Sequence, residues 1–256
     1  QLSNGMNEDD FQILINDPEK PFFNRALQGR YPPASTIKPA IGMYGVSKNI
    51  VNWEYEMKDP GFFTLPETGR IFRGWRKGGH GIVNMHKAFL VSSNTYFFSL
   101  AYKADIKELS NHLNSLGFGQ KVCLDCFDED QALVPTPEWK YNVMNAGWVK
   151  GDTVNLGIGQ GYLLVTPMQL ANYASLLAKK GKFNEPAIVT FDKTKRPLKI
   201  WEDARFKDSD WVKMHQALLG VIENDIGTAS SIRDLKEFQV AGKSGTAELV
   251  SLDSKE

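Results

Sequence analysis

Helical and alternating hydrophobic patterns are segregated along this chain, and that segregation constrains its fold more than any other feature. Apolar residues recur at helical spacing across residues 34 to 46 (Ile37, Ile41, Tyr44), with Pro39 in the first turn, where a missing N–H costs little. The same spacing predicts helix from Met85 to Ala104 around a break at Ser92-Ser93-Asn94, and from Ile106 to Leu116 before the stop at Gly117. It also predicts helix from Thr166-Pro167 to Gly181, with Thr166 as N-cap, and from Ser209 to Asn224. Alternation appears only late. Ala187 to Trp201 reads as a hairpin, with Val189 and Phe191 before a Lys193-Thr194-Lys195 turn and Leu198 and Ile200 after it. Phe238 to Val250 reads as a strand interrupted by Gly242 and Gly245. Residues 1 to 33 form a polar, turn-rich lead-in, and residues 55 to 80 are aromatic and aperiodic. Helices followed by late strands favour an α+β fold over a regular βαβ repeat.

No repeat, low-complexity stretch or Gly/Ser linker divides the 256 residues, so a single unit over residues 1–256 is expected. Thirty Lys plus Arg balance thirty Asp plus Glu, which leaves no bulk field to hold a nucleic acid. No apolar run approaches the roughly eighteen residues of a membrane span. The two cysteines stand as Cys123-Leu124-Asp125-Cys126, a spacing open to half a zinc site, a redox pair or a local disulfide. Without a second Cys or His pair at zinc spacing, two unrelated thiols are the simplest expectation.

Two phosphate-binding motifs fail on spacing. Gly242-Lys243-Ser244 lacks the leading glycine of a P-loop, because that position is Glu237. Gly157-Ile158-Gly159-Gln160-Gly161 ends in Tyr162 where a dinucleotide fingerprint needs a small residue. The four histidines, at 80, 86, 112 and 215, never fall at H-x-x-x-H spacing.

Three remaining segments combine into one site. Ser35-Thr36-Ile37-Lys38 is an S-x-x-K sequence, and positions i and i+3 of a helix share a face, so a neutral Lys38 amine can take the Ser35 proton. Burial, the positive end of a helix and a nearby cation all favour that neutral form, which calls for a second lysine. Ser92-Ser93-Asn94 supplies a hydroxyl and an amide from a helix break, and Lys243-Ser244-Gly245-Thr246 supplies the second lysine, two hydroxyls and a glycine that admits a substrate backbone. Each segment alone reads as ordinary structure: a helix turn, a cap, a kinked strand. Together and in this order they form the constellation of serine penicillin-recognising enzymes.

The chain resembles the transpeptidase domain of class B penicillin-binding proteins, and within that family its elongation-specific branch. The resemblance runs from about residue 20 to 250, through Tyr31-Pro32-Pro33-Ala34-Ser35-Thr36-Ile37-Lys38-Pro39, Asp59-Pro60-Gly61, Gly79-His80-Gly81, Ser92-Ser93-Asn94, Gly157 to Gly161, Gly227-Thr228-Ala229 and Ala241 to Ala247. It implies an antiparallel sheet flanked by helices plus a mostly helical lobe. It also implies that the family's last strands, C-terminal helix, pedestal domain and membrane anchor lie outside these residues. Catalytic roles are implied for Ser35, Lys38, Ser92 and Asn94, substrate-binding roles for Lys243, Ser244, Gly245 and Thr246, and an oxyanion hole at the N–H groups of Ser35 and Thr246. The implied partners are a peptidoglycan stem pentapeptide, β-lactams, a RodA-type glycosyltransferase and the MreC scaffold, at the periplasmic face of the inner membrane. No cofactor is implied. Some relatives complete a zinc site around the equivalents of Asp59 and His80 with an Asp and a Cys. Here those positions resemble Gly74 and Ser93, so no metal is expected. A β-lactam sensor, a non-catalytic scaffold, and a serine β-lactamase or D,D-carboxypeptidase share the fold and stand as alternatives.

Overall fold

The structure, a computed structural model, describes residues 5–189, 198–235 and 237–247. After α1 (Glu8–Ile15) and α2 (Arg25–Gln28), a 3₁₀ turn at Ala34–Ile37 leads directly into α3 (Lys38–Ser47). Four short strands follow: β1 (Met57–Asp59), β2 (Phe62–Thr64), β3 (Ile71–Arg73) and β4 (Gly81–Val83). Then come α4 (Met85–Leu90), α5 (Asn94–Tyr102), α6 (Ile106–Ser115), α7 (Pro137–Met144), α8 (Lys150–Leu156) and α9 (Pro167–Ala178). Two further strands, β5 (Lys182–Asn184) and β6 (Leu198–Ile200), precede α10 (Asp208–Glu223) and a 3₁₀ turn at Ser230–Leu235.

The five expected helical segments lie where periodicity places them, as α3, α4 with α5, α6, α9 and α10, whereas α1, α2, α7 and α8 are not predicted by it, and α1 and α2 fall in the stretch that reads as a polar lead-in. Thr166 caps α9 with its side chain, and Gln169 completes a capping box. Ser93 breaks the predicted 85–104 helix by capping α5, its side chain accepting from the Tyr96 N–H. Helix α3 is buried almost all round, as expected of a helix that is apolar on every face. Ile37, Ile41 and Tyr44 join Phe89, Phe97 and Leu109 in the main core.

The strands differ from expectation. Among the described residues, four of the six strands lie early, in the region that reads as aperiodic. There β2–β3 is nested inside β1–β4 as an antiparallel arm. Each strand is three residues long, too short for alternation to register. All pairing is antiparallel, in keeping with an α+β fold, but the described residues form three two-stranded pairs rather than one sheet. β6 pairs with β5, not with the segment around Val189; Phe191 and the Lys-Thr-Lys turn lie outside the described residues. The expected strand from Phe238 is irregular through Ala247, and the rest of that prediction also lies outside them. Its Gly242 N–H donates to the Leu218 carbonyl of α10, the segment lines a groove of about 680 Å³ together with α9 and α10, and among the described residues no strand pairs with it.

Cys123 and Cys126 are joined as a disulfide across a turn with Cα atoms 5.4 Å apart, which corrects the expectation of unrelated thiols. The turn is set by its surroundings: Leu124 N–H donates to the Pro186 carbonyl, and Asp125 accepts from the N–H groups of Ile188 and Val189. None of these contacts is visible in the C-x-x-C spacing.

Candidate active site

Pro32 and Pro33 stop the incoming chain, and the next four residues wind as 3₁₀ rather than α. A 3₁₀ winding brings positions i and i+3 toward one face, and at the mouth of α3 the Lys38 backbone N–H donates to the Ser35 carbonyl. Ala34, immediately before the serine, is buried with φ 49°, a left-handed conformation that costs a non-glycine residue about 1–2 kcal/mol. It is held there by the Gly157–Gly161 loop, where the Gly159 carbonyl accepts the Ala34 N–H at 2.9 Å. A Cβ on Gly159 would lie 2.2 Å from the Ala34 carbonyl oxygen, and φ there is +71°. Gly159→Ala is therefore expected to displace the serine turn and lower the acylation rate by at least about 100-fold, together with a drop in Tm, as read by penicillin labelling and thermal melts.

Lys38 is fully buried. Its Nζ donates to the Ser92 carbonyl at 2.8 Å, to Ser92 Oγ at 3.1 Å and to Asn94 Oδ1 at 2.7 Å. Burial pushes this amine well below its ordinary pKa, Lys243 pushes it the same way, and Asp59 opposes both. The tertiary structure thus brings the S-x-x-K and S-x-N segments into direct contact. Ser92 has φ 50° and is nearly buried, whereas Ser35 is partly exposed.

The third segment lies against the serine turn. A Cβ on Gly245 would sit 2.8 Å from Thr36 Cγ2, so only glycine passes here undistorted. Lys243 is partly buried and its pKa falls to about 8 through desolvation. Its Nζ donates to the Ser244 carbonyl at 3.0 Å, and Ser244 Oγ shares a 2.6 Å hydrogen bond with Thr228 Oγ1. The Thr228 N–H in turn donates to the Leu90 carbonyl at the end of α4. Thr246 is exposed beside them. Residue-level reading gave no role to Thr228, Gly159 or Asp59; of these, only the glycine carried a local signal, in a Gly-rich turn.

Asp59 and His80 are neighbours, the His80 backbone N–H donating to the Asp59 carbonyl at 3.2 Å. One Asp59 oxygen accepts from Ser93 Oγ at 2.6 Å and the other from the Gly61 N–H at 2.8 Å, while His80 packs on the Trp75 ring at 5.2 Å. Among the described residues, the one cluster with metal-type donors in mutual reach is Cys123, Asp125 and Cys126, whose sulfurs are bonded to each other.

A partly exposed serine three residues before a desolvated lysine that bonds a hydroxyl and an amide and feels a second lysine is the composition of a Ser-Lys acyl-transfer site. The family model "Penicillin binding protein transpeptidase domain" matches residues 3–256, and the chain belongs to that family. It is 40% identical to the peptidoglycan D,D-transpeptidase MrdA of Acinetobacter baumannii over 97% of its own length and 37% of the relative's. The crystal structure of Pseudomonas aeruginosa PBP2 in complex with WCK 5153 superposes with a TM-score of 0.87 at 34% identity, covering 96% of this chain and 54% of that one. PBP2 of Helicobacter pylori, in its complex with MreC, gives a TM-score of 0.85 at 30% identity over 96% of this chain and 45% of that one. The chain therefore spans well under half the length of the curated relative and about half that of the solved ones. Among the described residues, no helix is long and apolar enough to cross a membrane.

Proposed function

We propose that this chain carries the catalytic site of a peptidoglycan D,D-transpeptidase of the PBP2 type, acting in side-wall elongation. The observation that carries the reading is the buried, desolvated Lys38 amine, bonded to Ser92 and Asn94 and depressed further by Lys243. The names of the relatives support the substrate class.

In the proposed reaction, neutral Lys38 keeps its two N–H bonds to the Ser92 carbonyl and Asn94 Oδ1, which frees its lone pair to take the Ser35 proton as Oγ attacks the penultimate D-alanine carbonyl of a stem pentapeptide. The carbonyl oxygen becomes an oxyanion facing the N–H groups of Ser35 and Thr246, a donor pair of a kind worth about 10²- to 10³-fold in rate for each member. As the C–N bond breaks, Ser92 relays the proton from Lys38 to the leaving amine of the terminal D-alanine. Asn94 holds Lys38 and the substrate amide, while Lys243, Ser244 and Thr246 grip the terminal carboxylate, with Gly245 leaving room for the substrate backbone. An amine from a neighbouring stem then attacks the Ser35 ester, forming the crosslink and restoring the hydroxyl. β-Lactams acylate the same serine. The enzyme acts at the periplasmic face of the inner membrane through an anchor outside these residues, with a RodA-type glycosyltransferase and MreC as partners. The Helicobacter pylori complex supports the MreC pairing.

Intact mass spectrometry of the full-length protein after benzylpenicillin treatment tests the reading. One stable adduct is expected. Drug consumption with return to the unmodified mass would indicate a hydrolase instead, and a folded protein without adduct would indicate a scaffold. The pH profile supplies a second test. Lys243 is charged below its pKa of about 8 and neutral above it, so the acylation rate is expected to fall as pH rises through 8. Lys243→Arg, which stays charged, is expected to remove that alkaline limb.

A further inference from the structure

The turn carrying Ser92 is held from behind by groups that the proposed mechanism does not use. Asp59, at the end of β1, is only 2% exposed, yet its two oxygens are met by neutral donors, the Gly61 N–H at 2.8 Å and the Ser93 hydroxyl at 2.6 Å. Ser93 is fully buried and works in two directions: its hydroxyl donates to Asp59 while its oxygen caps α5 at the Tyr96 N–H, 3.2 Å away. On the other side of Ser92, the indole N–H of Trp75 donates to the Val91 carbonyl at 3.1 Å. Between these anchors Ser92 keeps φ 50°, and a left-handed non-glycine residue persists only where its surroundings over-determine it. Val91, Ser92 and Ser93 are thus tied in succession to the β3–β4 connection, to Lys38 and to β1.

We propose that Asp59, acting through Ser93, is a positioning residue that sets Ser92 for proton transfer, with Trp75 as the second anchor at Val91. The inference rests on the acyl-transfer reading above. An aspartate suits the position because two donors converge on it from different directions and a carboxylate accepts both, whereas an amide offers one acceptor oxygen. A charge-assisted hydrogen bond to a buried hydroxyl is also short and stiff, as a positioning contact needs to be.

The sign of the charge effect separates positioning from electrostatics. Asp59 favours the protonated form of Lys38, against the burial and the Lys243 charge that disfavour it. Removing the Asp59 charge alone would therefore enrich the neutral base and speed acylation. A slower variant reports lost geometry.

The test measures stopped-flow acylation of the full-length protein by a fluorescent penicillin, separating non-covalent Kd from the acylation rate constant, in Asp59→Asn, Ser93→Ala and the double variant. Tm is followed in parallel. Each single change is expected to slow acylation about 10- to 100-fold, the scale of a small misplacement of a reacting group, with Kd within about threefold. The double variant is expected to be no slower than the worse single one, because both changes disturb the one Asp59–Ser93 contact through which Asp59 acts on Ser92. Acylation at the original rate in variants with lowered Tm, or losses that multiply in the double variant, would overturn the inference. If the unaltered protein forms no adduct, the acyl-transfer reading itself fails, and this inference with it.

Discussion

Ser35→Ala is expected to abolish the covalent benzylpenicillin adduct and to lower crosslinking activity on the order of 10⁶-fold, the scale seen when a serine nucleophile is removed from a hydrolytic site. The fold should tolerate it. Ser35 lies on the partly exposed side of the 3₁₀ turn, and the contacts that shape the turn are made by its neighbours: Ala34 to Gly159, and Thr36 Oγ1 to the Pro33 carbonyl at 2.6 Å. A variant with unchanged Tm, reversible penicillin binding and no adduct meets the expectation. Mass spectrometry showing an adduct on Ser35→Ala would move the nucleophile elsewhere, with Ser92 the first residue to examine.

Lys38→Met is expected to slow acylation about 10³- to 10⁴-fold, toward the upper end of what a general base contributes. Methionine fills most of the space of the fully buried side chain but cannot accept the Ser35 proton. It also leaves the Ser92 carbonyl, Ser92 Oγ and Asn94 Oδ1 without their shared donor, and an unpaired buried acceptor costs about 1–3 kcal/mol. A modest fall in Tm is expected alongside the larger kinetic loss. Acylation should still proceed slowly and, below the pH of about 8 at which Lys243 loses its charge, rise with pH as hydroxide replaces the missing base. A variant that acylates as fast as the unaltered protein would exclude Lys38 as the proton acceptor.

Local rules account for much of what is legible in the sequence. Thr166-Pro167 marks the start of α9, and Thr136-Pro137 carries the same signal for α7, with the Thr136 side chain accepting from the Trp139 N–H. The arm built by β1 to β4 was invisible because its strands are too short to show a period. The irregular course of the segment around Lys243 and the bond between Cys123 and Cys126 depend on neighbours that no local pattern contains. Asp59 was noticed only through a resemblance, since a lone aspartate before Pro60-Gly61 reads as a turn residue.

Residue order carries the chemistry on offer and its local presentation: a serine and a lysine three residues apart after two prolines, a hydroxyl and an amide at a helix break, and a second lysine before a glycine. Helix periodicity and capping act over three or four residues, so they are written in the order of the side chains. The tertiary structure alone decided that Lys38 meets Ser92 and Asn94, 54 and 56 residues away, and that its amine is stripped of water beside Lys243. Protonation is governed by burial and by charges across space, and both are properties of packed neighbours rather than of spacing.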